Sequence, residues 1–154
     1  MRISPLEDGE IEEAVALWER CGLIRAWNDP RADIALARSS ATSEVLAGRR
    51  HGRIVASAMV GADGHRGWVY YLAADPELRL QGLGRAMMEA CEVWARERGV
   101  PKIQLMVRAG NLATIGFYRA LGYQQEDTVV LGKRFDGRDW AVAPDQDSSP
   151  SVPK

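Results

Sequence analysis

At 154 residues the chain has the length of one domain, since domains run to roughly 100–200 residues. Its composition, 46% hydrophobic and 27% charged, supplies a packed core and a hydrated exterior and excludes disorder of the whole chain. A net charge of −1 provides no basic field to gather nucleic acid, so an anionic ligand must be held by local donors. No apolar run reaches the ~20 residues of a membrane span, and the start, MRISPLEDGE, lacks the regions of a secretory leader. Cys21 and Cys91 both fall in helical patterns and read as reduced packing residues, so the expected location is the cytoplasm.

Residues 2–6 read as a short strand ending near Pro5. Asp8 is placed to cap a helix whose apolar positions, Ile11, Ala14, Val15, Trp18 and Cys21, recur at three and four, with Gly22 as its stop. Trp27-Asn28-Asp29-Pro30 signals a turn, and a short helix is predicted over 31–38. Residues 42–49 and 53–60 form a predicted hairpin around His51-Gly52. After a turn at Asp63-Gly64, residues 68–74 read as a buried strand stopped by Asp75-Pro76. A long helix is predicted over 84–98, with Ala86, Met87, Ala90, Cys91 and Trp94 inward and Gly99 as its close. A strand over 102–107, a helix over 112–121 ended by Gly122, and strands over 123–125 and 128–135 complete the pattern. This order predicts a mixed α/β domain over 1–135, with a largely antiparallel sheet of about seven strands, about four helices and one βαβ crossover. Residues 136–154, with three prolines, three serines and Trp140 as the only large apolar anchor, are expected to be a disordered tail.

The segment DPELRLQGLGRA, residues 75–86, carries the chemistry. Gly82 and Gly84 follow a strand and open a helix. There the backbone can curl so that successive N–H groups face one point and the helix dipole adds positive potential, an arrangement suited to a pyrophosphate. A G-x-G-x-x-G fingerprint fails because Met87 stands at the third glycine, and no G-x-x-x-x-G-K-[ST] run occurs. What remains is R-x-x-G-x-G on Arg79, Gly82 and Gly84, which alone is matched equally by a plain glycine turn.

Further segments agree in order and spacing. YYLAADPELR before that loop, KIQLMVRAGN after the helix and GFYRALGY beyond it resemble the GNAT acetyltransferase superfamily over residues 2–135. LWERCGLIRAWNDP, GADGHRGWVYYLAADP, GVPKIQLMVR and VLGKR resemble, within it, the small YpeA-type acetyltransferases. The resemblance implies acetyl-CoA as co-substrate, no metal, and a V-shaped gap between strands 68–74 and 102–107 that receives the pantetheine arm along Leu72, Ala73 and Ala74. It places the pyrophosphate on N–H groups of Leu80, Gln81, Gly82, Leu83, Gly84 and Arg85. Arg79 and Arg85 are then charge partners or solvated surface. Asn111 is implied to bond the cofactor arm, and is also a good N-cap. Tyr118 is implied to protonate the departing thiolate, and is also a plausible core aromatic.

Relatives of two kinds carry a glutamate base where this chain has Trp68 and Met106, so the implied base is a water or a residue from the acceptor side. Candidates there are Trp27, Asn28, Asp29, Asp63 and His65, each of which also has an ordinary role as cap, turn or surface residue. The expected function is transfer of acetyl from acetyl-CoA to a primary amine, a small molecule or a protein N-terminus, by direct attack in a ternary complex. Partners are limited to these two substrates, with no nucleic acid or membrane and with room for a homodimer. A catalytically silent acyl-CoA-binding module is the alternative.

Overall fold

In the computed structural model, which describes residues 1–138, five strands form one sheet with helices on both faces. Strands β1 (Arg2–Pro5), β2 (Ser43–Arg50), β3 (Arg53–Ala62) and β4 (Gly67–Ala74) make an antiparallel meander, and β5 (Ile103–Leu105) joins β4 in parallel. Helices α1 (Ile11–Arg20) and α2 (Pro30–Arg38) lie between β1 and β2, α3 (Leu83–Glu97) crosses from β4 to β5, and α4 (Leu112–Ala120) follows β5.

The sheet separates two cores, because successive strand residues point to opposite faces. Val45 and Ala47 of β2 join Val15, Leu17 and Trp18 of α1 and Ile34 of α2 on one side. Leu46 points to the other side, with Ala58 and Val60 of β3 and Met87, Met88 and Cys91 of α3. A strand covered on both faces shows an unbroken buried run, as β2 does from Val45 to Arg49. The buried Trp18 donates from Nε1 to Ser57 Oγ at 2.8 Å, which satisfies the indole deep in the core.

Arg49 is a buried cation, 6% exposed, at the foot of β2. Its guanidinium donates to both carboxylate oxygens of Glu10, to Ser4 Oγ at 2.8 Å and to the carbonyls of Ala47 and Pro5 at 3.0 Å. A charge taken out of water needs such a full set of partners. The Arg49 hydrogen bonds pull the Glu10 carboxyl down to about 2, against the opposing effect of burial.

The chain beyond α4 departs from the sequence-based expectation. Residues 123–125 and 128–135 form no strand, so the sheet has five strands and not about seven. The alternating pattern is present but finds no face to cover: Val129, Leu131 and Phe135 are 85%, 89% and 91% exposed. Side chains hold this segment instead. Tyr123 Oη donates to Glu92 of α3 at 3.0 Å, Lys102 pairs with Glu126, and Arg134 donates to the carbonyl of Trp27 at 2.8 Å. β5 is also shorter than the predicted 102–107, ending at Leu105. The expected tail with its Trp140 lies, from residue 139 on, outside the described residues. Within them, Asp136 pairs with Arg134.

Candidate active site

The site begins where two parallel strands part. β4 pairs with β5 only through Gly67↔Ile103, Trp68↔Gln104 and Val69↔Leu105. The closed end is tight because Gly67 has no Cβ: one built there would lie 3.3 Å from Val100 Cγ1 and 3.4 Å from Ile103 Cγ1. From Tyr70 to Ala74 the strand keeps its partner β3 but has none on the β5 side. The Asp75 N–H donates to Val55 of β3, and Ala73 sits opposite Ser57, so strand alternation turns the polar groups of Leu72 and Ala74 toward the open edge. The Ala74 carbonyl accepts from Cys21 Sγ at 3.3 Å, and the other backbone donors and acceptors on this edge require a partner.

A bulge lies in the same stretch of β4. The register with β3 shifts between Ser57 and Met59, and Tyr71 adopts a φ of +50°. A bulky residue held there is costly unless its surroundings enforce it. Tyr71 stacks on Trp18 with ring centroids 4.1 Å apart, and its hydroxyl donates to Asp33 Oδ2 at 2.6 Å. Burial and that carboxylate push the Tyr71 phenol up. Sequence reasoning missed this residue, since the run YYLAA carries no signal of a bulge.

Beyond Asp75, a 3-10 turn leads into the loop before α3. Asp75 Oδ1 accepts from the Glu77 N–H at 3.0 Å and fixes that turn. Leu80 and Gly82 have φ of +62° and +72°, and the side chain of Leu80 stands fully in solvent. No side chain caps α3, whose N-cap is Gly82. The N–H groups of 79–85 therefore have no acceptor among the described residues. Arg79 and Arg85 are exposed beside this concave run of donors and have no acidic partner among the described residues. Gly84 serves a different purpose from Gly82. A Cβ on Gly84 would lie 3.1 Å from Phe117 Cζ, so α4 packs directly on the start of α3.

The open edge of β4, the start of α3 and α4 enclose one continuous cleft of about 2180 Å³. Tyr118 projects from α4 into its wall, 9% exposed, with edge contacts to Phe117 and Tyr123 at 5.0 and 5.7 Å between centroids. Burial, with a smaller contribution from Cys91, pushes its phenol up to about 12, so it holds its proton at neutral pH. Asn111 lines the cleft while its Oδ1 accepts from the Thr114 N–H at 3.2 Å, which makes it the N-cap of α4.

The acceptor-side candidates divide. Trp27 and Asn28 line the cleft. Asp29, Asp63 and His65 do not. Asp29 caps α2 through the N–H groups of Arg31 and Ala32. Asp63 accepts from the N–H groups of Arg66 and His65 and from Trp68 Nε1, which together hold its carboxyl down to about 2. His65 sits exposed in that loop. The structure adds Arg108, whose guanidinium carbon lies 5.7 Å from the centre of the Trp27 ring. Trp68 is tied to Asp63, and Met106 is half exposed on the cleft wall.

A central sheet opened at a splayed parallel pair, running into an uncapped helix start, defines a mixed α/β domain with one long cleft. Comparison with known proteins agrees. The sequence model of the Acetyltransferase (GNAT) family matches residues 10–123. An acetyltransferase of Yersinia enterocolitica is 42% identical over 134 residues, covering 87% of this chain and 95% of its own. The fold is similar to that of an aminoglycoside N-acetyltransferase solved with a bisubstrate analogue of CoA and acetylneamine, at TM-score 0.74 and 14% identity over 87% of this chain and 97% of that one. It is also similar to the ribosomal-protein-S18-alanine N-acetyltransferase of Escherichia coli, at TM-score 0.69 and 27% identity over 81% and 78%. The chain belongs to the GNAT family and is an acetyltransferase.

Proposed function

We propose that the protein transfers the acetyl group of acetyl-CoA to a primary amine by direct attack, with both substrates bound together. The observation that carries this reading is the unpaired edge of β4 from Tyr70 to Ala74 running into the uncapped N-terminus of α3. Leu72 and Ala74 supply polar groups to the pantetheine amides, and the N–H groups from Leu80 to Arg85 hold the pyrophosphate. Arg79 and Arg85 flank it as charge partners.

Attack by the neutral amine on the thioester carbon places negative charge on the carbonyl oxygen, where the Leu72 N–H is the donor at hand. The C–N bond forms and the C–S bond breaks, Tyr118 gives its proton to the leaving sulfur, and the proton lost by the amine nitrogen passes to water, which restores the Tyr118 phenol. Both thiols are unsuited to a covalent acyl-enzyme: Cys91 is buried, with its thiol pushed up to about 12 by burial, and burial raises Cys21 too. Trp68 and Met106 offer no carboxylate base, so an amine that is partly neutral at physiological pH suits the site. α-Amines, with an ordinary pKa of about 7.7–8.0, meet this better than lysine side chains at about 10.4.

The test is CoA release from acetyl-CoA over a panel of amines, with mass spectrometry of the products. Turnover with at least one amine is the expected result. Acetyl-CoA binding without turnover of any amine would instead make the protein a silent acyl-CoA-binding module.

A further inference from the structure

Charge in the cleft is distributed unlike charge in the whole chain, which carries −1. The carboxylates among the cleft-lining residues are Asp75, Glu92 and Glu126. Each is already engaged: Asp75 with Arg20 at 3.4 Å, Glu92 with Arg96 at 2.8 Å and Tyr123, and Glu126 with Lys102. Five lining arginines, Arg25, Arg79, Arg85, Arg108 and Arg119, have no acidic partner among the described residues, and Arg119 of α4 donates to Gln125 Oε1 at 3.2 Å.

Arg79 and Arg85 stand at the helix start that receives the pyrophosphate. Arg25 and Arg108 stand at the opposite mouth, where the loop between α1 and α2 faces the chain just beyond β5. Arg108 lies over Trp27, and Arg25 donates only to the backbone carbonyls of Gly22 and Ile24, at 2.6 and 3.0 Å. The Trp27 loop is held from behind, because Arg134 donates to its carbonyl at 2.8 Å and is itself neutralised by Asp136. The nearby carboxylates are likewise spent, Asp29 on the cap of α2 and Asp33 on the Tyr71 hydroxyl. This leaves an aromatic plate with two available guanidinium groups, the chemistry that binds a carboxylate. A polycationic amine would meet unpaired positive charge and no free carboxylate.

We infer that the acceptor is an amine that also bears a carboxylate, which Arg108 and Arg25 receive beside Trp27 while the amine reaches the open edge of β4. This rests on the acetyl-transfer reading above and goes beyond it in naming the acceptor class.

The experiment compares acceptors matched in size and differing in charge, glycine with glycinamide and β-alanine with β-alaninamide, with spermidine as a polycation, and expresses kcat/KM per unprotonated amine because the carboxylate raises the pKa of its neighbouring amine. kcat/KM for each acid is expected to exceed that of its amide by tenfold or more. Arg108→Met should erase this ratio through the KM of the acid, leaving KM for acetyl-CoA unchanged. Equal or better turnover of the amides or of spermidine overturns the acceptor class while acetyl transfer stands. If no amine is turned over, calorimetry on the CoA-saturated protein still decides. Binding of N-acetyl-β-alanine but not of N-acetyl-β-alaninamide, weakened by Arg108→Met, supports the inference, and binding of neither overturns it.

Discussion

Around Arg49 every strong polar group has a partner, whereas around the end of β4 several have none. At the first place a guanidinium, a carboxylate, a hydroxyl and two carbonyls close on one another and tie β1, β2 and the start of α1 together. At the second, half a strand edge and the first turn of α3 are left with open donors, and arginines stand near them unpaired. Both regions belong to one small domain, so the contrast is not a matter of loose packing. Met87, Met88 and Cys91 of α3, on one face of the same sheet, are fully buried. A fold leaves hydrogen-bonding capacity unspent at little cost only where water or a ligand can take it up. The Arg49 region closes its polar groups on one another, and the β4 edge leaves most of its own open to a partner.

The largest expected effect falls on the stabilising side. Glu10→Gln leaves Arg49 buried without its counter-charge and should cost about 3 kcal/mol of unfolding free energy, with kcat unchanged at temperatures where the variant is folded. The sign with pH is fixed by the carboxyl, which lies at about 2 in the folded chain against an ordinary 4.5. Its stabilisation is fully present above 4.5 and is lost as pH falls toward 2, so wild type and variant should converge in acid. Denaturant titrations at neutral and acid pH measure this, and an equally large loss of kcat in the folded variant would show that the two regions are coupled.

Next comes Tyr118→Phe, on the binding side. In the proposed reaction the phenol donates to sulfur only as charge develops there, so the loss is expected in kcat. Water can substitute in part, which puts the fall at roughly 10–100-fold, the low end of acid catalysis. Affinity for acetyl-CoA and Tm should barely move. Activity within about twofold of wild type would make Tyr118 a packing residue.

Gly82→Ala should be smaller. Nothing lies within 4 Å of the added Cβ, and the strain comes only from its φ of +72°. A left-handed residue costs about 1–2 kcal/mol, so acetyl-CoA affinity should fall about tenfold by calorimetry, with a drop of a few degrees in Tm. Gly84→Val sharpens the contrast between the two glycines, because its side chain must displace Phe117 and is expected to disturb α4 as well as acetyl-CoA affinity.

The smallest effect is that of Asn111→Ala, which removes the cap of α4 and should cost about 1 kcal/mol. Asn111→Ser keeps a cap but not the amide. If both variants bind acetyl-CoA as wild type does, Asn111 is a cap and nothing more.

The amino-acid pattern was sufficient for local structure. Apolar spacing placed α1 and α3, Asp29-Pro30 marked the start of α2, and the glycines after Asp75 marked the loop that opens α3, because each of these depends on residues a few positions apart. The turn signal at Trp27 and Asn28 leaves an acceptor-side role and a loop-fixing role equally open, and only the fold puts them on the cleft, while Asp63 and His65 offer a similar signal and fold away from it. The strand pattern over 128–135 misled, since alternation specifies a strand only where a face exists to be covered, and here none does.

What tertiary structure alone decided is everything that joins distant segments. The left-handed Tyr71 is held by Trp18 and Asp33, Gly84 answers to Phe117, and Arg49 gathers partners from β1 and the start of α1. Arg108 lies over Trp27 at the mouth of the cleft, which Arg25 also lines, because β5 ends at Leu105 and releases the chain toward the loop before α2. Hydrophobic period and turn chemistry are local quantities and can be read along a chain. Packing contacts and ion pairs between distant residues depend on where the sheet carries each segment, and no local pattern encodes that.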